Sequence, residues 1–139
     1  QNDYLSTAVL PSCVWSSEWD VTDGKINIWV HQRSCDVPLG LPFNVTQYAT
    51  LLCLIAQVTG LKPGTIDWSI KDAHIYTNQI SGIEEQIKRF DEKGHLKAPT
   101  LWINKDIKDF FEFDNSKDCL DIKVKDYEDM GPIHFDIAR

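Results

Sequence analysis

Two strand-like runs occupy 14–20 and 25–33, and hydrophobic and polar residues alternate with period two along the second. Asp23-Gly24 between the two runs is a strong two-residue turn signal, so the spacing predicts a β-hairpin. In the second run Ile26, Ile28 and Val30 alternate with Lys25, Asn27, Trp29 and His31. That predicts one buried face, with the Trp29 ring over the other. Pro38, Gly40 and Pro42 break the chain into a loop over 34–42. From Phe43 to Thr59 the period changes: Tyr48, Leu51, Leu52, Ile55 and Val58 fall at helical spacing, and Gly60 suits the position after the helix end. The few charges in this helix predict burial on most sides.

Lys62-Pro63-Gly64 reads as a turn, and 65–76 as a strand ending in Asp72-Ala73-His74-Ile75-Tyr76. A second helix is expected over 79–91, capped by Asn78, with Ile80, Ile83, Ile87 and Phe90 inward and Glu84 paired with Lys88. Beyond Gly94, strand candidates at 100–104, 119–125 and 133–138 alternate with charged turns such as Asp114-Asn115-Ser116-Lys117-Asp118. There is no internal repeat. The pattern predicts an α+β fold, a mixed sheet packed with helices in one compact unit.

Composition narrows the function. The 139 residues suffice for one domain with a single core, and 42% hydrophobic with 25% charged is ordinary for a globular chain. The net charge of −7 argues against a DNA or general nucleic-acid partner, which needs a basic face. The apolar run from Leu51 to Val58 is broken by Gln57 and is short for a membrane span. Gln1-Asn2-Asp3-Tyr4 has neither a basic start nor a signal-peptide core. Cys13, Cys35, Cys53 and Cys119 show no CxxC spacing, and His31, His74, His95 and His134 are scattered, so free thiols, a cytoplasmic setting and no metal site are expected.

Cys13 stands just ahead of the hairpin and Arg33 at its far end. A guanidinium near a thiol favours the reactive thiolate. Alone, such a cysteine is more often a small buried hydrophobe. Three further stretches sharpen the picture: Gln32-Arg33-Ser34-Cys35-Asp36 running on to Leu39-Gly40-Leu41-Pro42-Phe43-Asn44, then Asp72-Ala73-His74-Ile75-Tyr76-Thr77-Asn78, then Pro99-Thr100-Leu101-Trp102-Ile103-Asn104. With Leu10-Pro11-Ser12-Cys13, they closely resemble the thymidylate synthase family in order and spacing, over essentially the whole chain.

The resemblance implies the family's mixed-sheet fold, in part. Residues 1–139 match the C-terminal part of the catalytic domain, without the N-terminal half that carries a catalytic glutamate and the arginines reaching the partner subunit's phosphate. It implies reductive methylation of dUMP to dTMP with 5,10-methylenetetrahydrofolate as cosubstrate, in a homodimer packed sheet against sheet. Cys13 is the implied nucleophile toward C6 of the base. Arg33 is implied to bind the 5′-phosphate and keep Cys13 ionised, supported by Gln32 and Ser34. Asn44 is the implied base reader, since a carboxamide donates to a uracil carbonyl and accepts from N3–H. His74 and Tyr76 are implied to hold the ribose 3′-hydroxyl, and Asp36, Leu39 and Gly40 to lie along the pterin.

Two departures from the family pattern are Val14, where many members have histidine, and the charged end Asp136-Ile137-Ala138-Arg139, where the family ends in an apolar residue. A looser lid would admit water and favour a deoxyuridylate hydroxymethylase. A non-catalytic fragment needing a separate N-terminal half, and an interaction domain without a ligand, are the readings from other classes. Cys35, Cys53 and Cys119 are expected to be structural thiols.

Overall fold

The computed structural model describes residues 10–137, so Arg139 lies outside the described residues. β1 (Val14–Thr22) and β2 (Lys25–Gln32) form the expected antiparallel hairpin. Its two-residue turn has positive φ at both Asp23 (51°) and Gly24 (71°), the geometry that matches the twist of the flanking strands. β2 is the central strand. It pairs antiparallel with β1 and parallel with β4 (Lys62–Ile70), and a parallel pair needs a crossover. Helix α1 (Leu41–Thr59) supplies it. Ile26, Ile28 and Val30 of β2 meet Leu52 and Ala56 of α1 to form the core, ringed by Val14, Trp19, Tyr48, Ile55, Leu61, Ile66 and Trp68.

On the opposite face of the sheet, the half-exposed Trp29 stacks 5.0 Å from His31, with Trp15 5.6 Å from the same ring. Trp29 Nε1 donates to Ser69 Oγ at 2.8 Å, tying β2 to β4 on this side.

α1 ends as its sequence predicts. Gly60 adopts φ 70°, and the Leu61 N–H reaches back to the Ala56 carbonyl at 2.9 Å. Nothing lies within 4 Å of a Cβ built on Gly60, so Gly60→Ala is expected to cost only the left-handed strain, about 1–2 kcal/mol. A urea midpoint unchanged by the substitution would refute that. The helix is less buried than expected: Leu52, Leu54 and Ala56 are its buried residues, while Phe43 and Val45 are exposed. By length and composition α1 is also long and apolar enough to cross a bilayer, against the expectation. Periodicity locates one packed face. It does not say how much of the rest the described chain covers.

Five further expectations are corrected. Lys62-Pro63-Gly64 is not a free turn; it opens β4, paired to Lys25 and Ile26 with a register shift before Ile28. The strand expected over 65–76 is broken after Ile70, and its last part is β5 (Ala73–His74), parallel to β3 (Cys35–Asp36). The chain changes partners there: Lys71 N donates to Gln32 O at 3.0 Å and Cys35 N to Asp72 O at 2.8 Å. In α2 (Ile80–Lys93), Ile80, Ile87 and Phe90 are exposed rather than inward. Among the described residues the ion pair on α2 is Glu85–Arg89 at 2.8 Å, not Glu84–Lys88, and Asn78 does not cap it but donates to Asp136 O at 3.4 Å.

β6 (Thr100–Ile103) and β7 (Ile122–Lys125) form an antiparallel pair. Residues 133–137 are not a strand. The segment from Met130 is instead laid along α2. Arg89 Nη1 donates to the carbonyls of Met130, Gly131 and Pro132, and Phe135 packs so tightly on Gly82 that a Cβ there would meet its ring at 2.5 Å.

Candidate active site

The ends of β2 and β3, the first turn of α1, β5 and the turn after it converge. Cys13 is exposed on the segment leading into β1. Its carbonyl accepts from Arg33 N at 2.8 Å. The Arg33 side chain grips the same segment: Nη2 donates to Pro11 O at 2.6 Å and Nε to Ser12 O at 3.3 Å. The first effect of Arg33 is therefore mechanical, holding the two residues before the thiol in place.

Gln32 ends β2 on its buried face and is 2% exposed. Buried polar atoms need partners, and each end of this carboxamide has them. Trp68 Nε1 donates to Oε1 at 2.9 Å; Nε2 donates to Ser34 O at 2.9 Å and to Asn44 Oδ1 at 3.1 Å. Since the Trp68 indole is a donor only, the orientation of the Gln32 amide is fixed, and with it that of Asn44. Asn44 keeps its NH₂ and one Oδ1 lone pair for another partner.

Asp36 is held at both carboxylate oxygens. Oδ1 accepts from Leu39 N at 3.2 Å and Oδ2 from Gln79 Nε2 at 2.9 Å. Its carbonyl accepts from Gly40 N at 2.7 Å, and a Cβ on Gly40 would sit 2.9 Å from that carbonyl oxygen. Gly40 thus permits the tight turn that delivers α1 and Asn44. Cys35, between Ser34 and Asp36, is buried. Burial pushes its thiol pKa up; a hydrogen bond from Gln32 pulls it down, and the nearby charges of Asp36 and Cys13 push it further up. A buried thiol disfavoured from ionising is a poor nucleophile.

His74 stands opposite Asp36 in the β3–β5 pair, with its ring edge-on to Tyr76, 4.9 Å between centroids. His74 Nδ1 lies 3.4 Å from Asp72 Oδ2 outside hydrogen-bonding geometry, and it is a buried nitrogen without a hydrogen-bond partner. The structure thus groups Gln32, Arg33, Ser34, Asn44 and Cys13 at one end, and Asp36, Leu39, Gly40, His74 and Tyr76 at the other. A cavity of about 390 Å³ opens beside Pro38, walled by Gln86 and Arg89 of α2 and by Met130 and Phe135. A larger one, about 720 Å³, lies at the far end of α1 around Cys53 and Gln57, away from these residues.

Sequence reasoning missed Gln79 and Trp68, the hydrogen-bond partners behind Asp36 and Gln32. Their types carry no signal: a glutamine ahead of a helix reads as surface, and a tryptophan in a strand reads as core.

The thymidylate synthase family model matches residues 1–139. The thymidylate synthase of Clostridium beijerinckii is 46% identical over 138 residues, 99% of this chain and 50% of the relative. That of Bacillus mojavensis is 38% identical over 136 residues, 98% of this chain and 46% of the relative. Among solved structures, thermostable thymidylate synthase A from Bacillus subtilis superposes with a TM-score of 0.85 at 37% identity, covering 99% of this chain and 46% of that one. The chain spans about half the length of the curated relatives it matches. With its β2–α1–β4 crossover, its grouped Cys13, Arg33, Asn44 and Asp36, and a family match over its whole length, the chain belongs to the thymidylate synthase family.

Proposed function

We propose that residues 1–139 form the C-terminal part of a thymidylate synthase catalytic domain, which methylates dUMP to dTMP with 5,10-methylenetetrahydrofolate. The observation that carries this reading is the hydrogen bond from Gln32 Nε2 to Asn44 Oδ1, 3.1 Å, which orients a neutral carboxamide beside the Cys13 and Arg33 pair.

C5 of uracil is a weak nucleophile. Addition of the Cys13 thiolate to C6 forms an S–C6 bond and moves the C5–C6 electron pair into an enolate, so that C5 becomes nucleophilic. Arg33 binds the 5′-phosphate and holds the Cys13 segment, with Gln32 and Ser34 supporting it. Asn44 donates to a uracil carbonyl and accepts from N3–H. His74 and Tyr76 hold the ribose 3′-hydroxyl. Asp36, with Leu39 and Gly40, lies along the pterin; each Asp36 oxygen accepts one protein hydrogen bond, and a carboxylate oxygen has capacity for another. The folate supplies the one-carbon unit and then the hydride, leaving as dihydrofolate. C5 gives up its proton to a base once the one-carbon unit is attached, the hydride completes the methyl group, and departure of Cys13 from C6 restores the C5–C6 double bond.

The aromatic face around Trp15, Trp29 and His31 supports a homodimer packed sheet against sheet, and a cytoplasmic setting belongs to the same proposal. The names of the relatives support methylation over hydroxymethylation, despite Arg139. Incubating the complete enzyme with dUMP and methylenetetrahydrofolate is expected to give dTMP and dihydrofolate, and the isolated 139-residue chain is expected to give no turnover. Hydroxymethyl-dUMP with tetrahydrofolate as the product would transfer the assignment to a hydroxymethylase. Turnover by the isolated chain would show that these residues need no N-terminal half.

A further inference from the structure

Two polar side chains are fully buried among the described residues, Gln32 at 2% and Gln79 at 1% exposure. Both are neutral carboxamides, and both stand directly behind a side chain of the candidate site. Gln32 holds Asn44. Gln79 Nε2 donates to Asp36 Oδ2 at 2.9 Å, and Gln79 Oε1 accepts from Tyr76 N at 3.1 Å. The amide orientation follows from its partners, because the Tyr76 N–H only donates and the Asp36 carboxylate only accepts. The Gln79 backbone returns the bond, its N–H donating to Tyr76 O at 2.9 Å. Gln79 is thus joined to Tyr76 at two points and to Asp36 at a third.

We infer that Gln79 is a positioning residue that fastens the Asp36 carboxylate to the His74–Tyr76 arm, fixing the pterin-side and ribose-side contacts relative to one another. The inference rests on the functional reading above for what Asp36 and Tyr76 touch. Three geometric facts carry it. Asp36 Oδ1 is already taken by Leu39 N, so Gln79 sets the remaining freedom of the carboxylate. Strand pairing alone aligns Asp36 with His74 by only two residue pairs, too short a ladder to fix a side chain. Gln79 is uncharged, so it holds Asp36 without neutralising it and leaves its charge for a ring N–H donor.

The test is a pair of variants in the complete enzyme, Gln79→Leu and Gln79→Glu. Leucine removes both side-chain bonds. Glutamate keeps the size and the acceptor for Tyr76 N, but sets a second carboxylate against Asp36. Two acids in hydrogen-bond contact do not both ionise readily, so the pair takes up a proton as the pH falls, and that proton restores the donor to Asp36. At pH 8 both variants are expected to raise the folate KM by about 10- to 100-fold, the scale of a misplaced contact, while dUMP binding changes less than about threefold. Between pH 8 and pH 6 the Gln79→Glu deficit relative to the parent enzyme is expected to shrink about tenfold or more, while the Gln79→Leu deficit stays flat. A purely structural role predicts loss of folded protein with an unchanged folate KM, and that result overturns the inference. So does a Gln79→Glu deficit that does not vary with pH. If Gln79→Leu fails to fold, the pH series on Gln79→Glu decides alone. An unsubstituted enzyme that makes no dTMP refutes the proposed function and not the role of Gln79, which binding of a folate analogue with dUMP still reads.

Discussion

Cys13→Ser in the complete enzyme is expected to lower dTMP formation by on the order of 10⁴-fold or more, with dUMP binding nearly unchanged. The hydroxyl that replaces the thiol is far harder to ionise, so the electron pair that must enter C6 is withheld. The scaffold around it is backbone-held: Cys13 O still accepts from Arg33 N at 2.8 Å, and the Arg33 guanidinium still grips Pro11 and Ser12. Serine is close in size to cysteine and the position is exposed, so folding is expected to be intact. Product assay and nucleotide calorimetry on the same preparation separate the two effects. Retention of more than about one per cent of activity would remove Cys13 from the nucleophile's place.

Asn44→Asp is expected to change the preferred base. A carboxylate accepts and does not donate, so a uracil carbonyl then faces an acceptor, whereas the amino group of cytosine finds one. A site built around a specific hydrogen bond rejects the mismatched partner strongly, so kcat/KM for dUMP is expected to fall by about 10³-fold while dCMP binding tightens. Gln32 Nε2 now donates to Asn44 Oδ1 at 3.1 Å and can donate equally well to an aspartate oxygen, so the side chain keeps its direction. That separates this substitution from one that merely dislodges the residue. Competition between dUMP and dCMP measures it. An unaltered preference for dUMP would mean that Asn44 does not read the base.

The elements that local chemistry dictates were legible in the chain. Asp23-Gly24 demands positive φ, Ile26, Ile28 and Val30 alternate into the core, and Gly60 ends α1 in the left-handed region. The grouping of Gln32, Arg33, Asn44, His74 and Tyr76 was expected only through the resemblance of the motifs that carry them, since each motif alone is weak. What failed depends on neighbours. The 65–76 run has continuous strand character, but its ladder partner changes from β2 to β3 where Arg33 and Ser34 depart from the β2 line. Ile80 and Ile87 of α2 mark a face that the described residues leave exposed. Gln79 was invisible because its hydrogen-bond partner Asp36 lies more than forty residues earlier, and no local pattern encodes that contact.

The parallel pairing of β2 with β4 has a consequence for folding. Every residue of the ladder joins positions nearly forty apart, such as Val30 with Trp68, and the loop between them contains all of α1. Such contacts gain nothing until the whole loop has closed, which makes them slow to form. Cys13 sits on the far side of the β1–β2 ribbon, while His74 and Tyr76 follow β4, so the two ends of the candidate site meet only after that closure. On the proposed function, the appearance of nucleotide binding during refolding is expected to mark the completion of the crossover, and slowing the docking of α1 is expected to delay it.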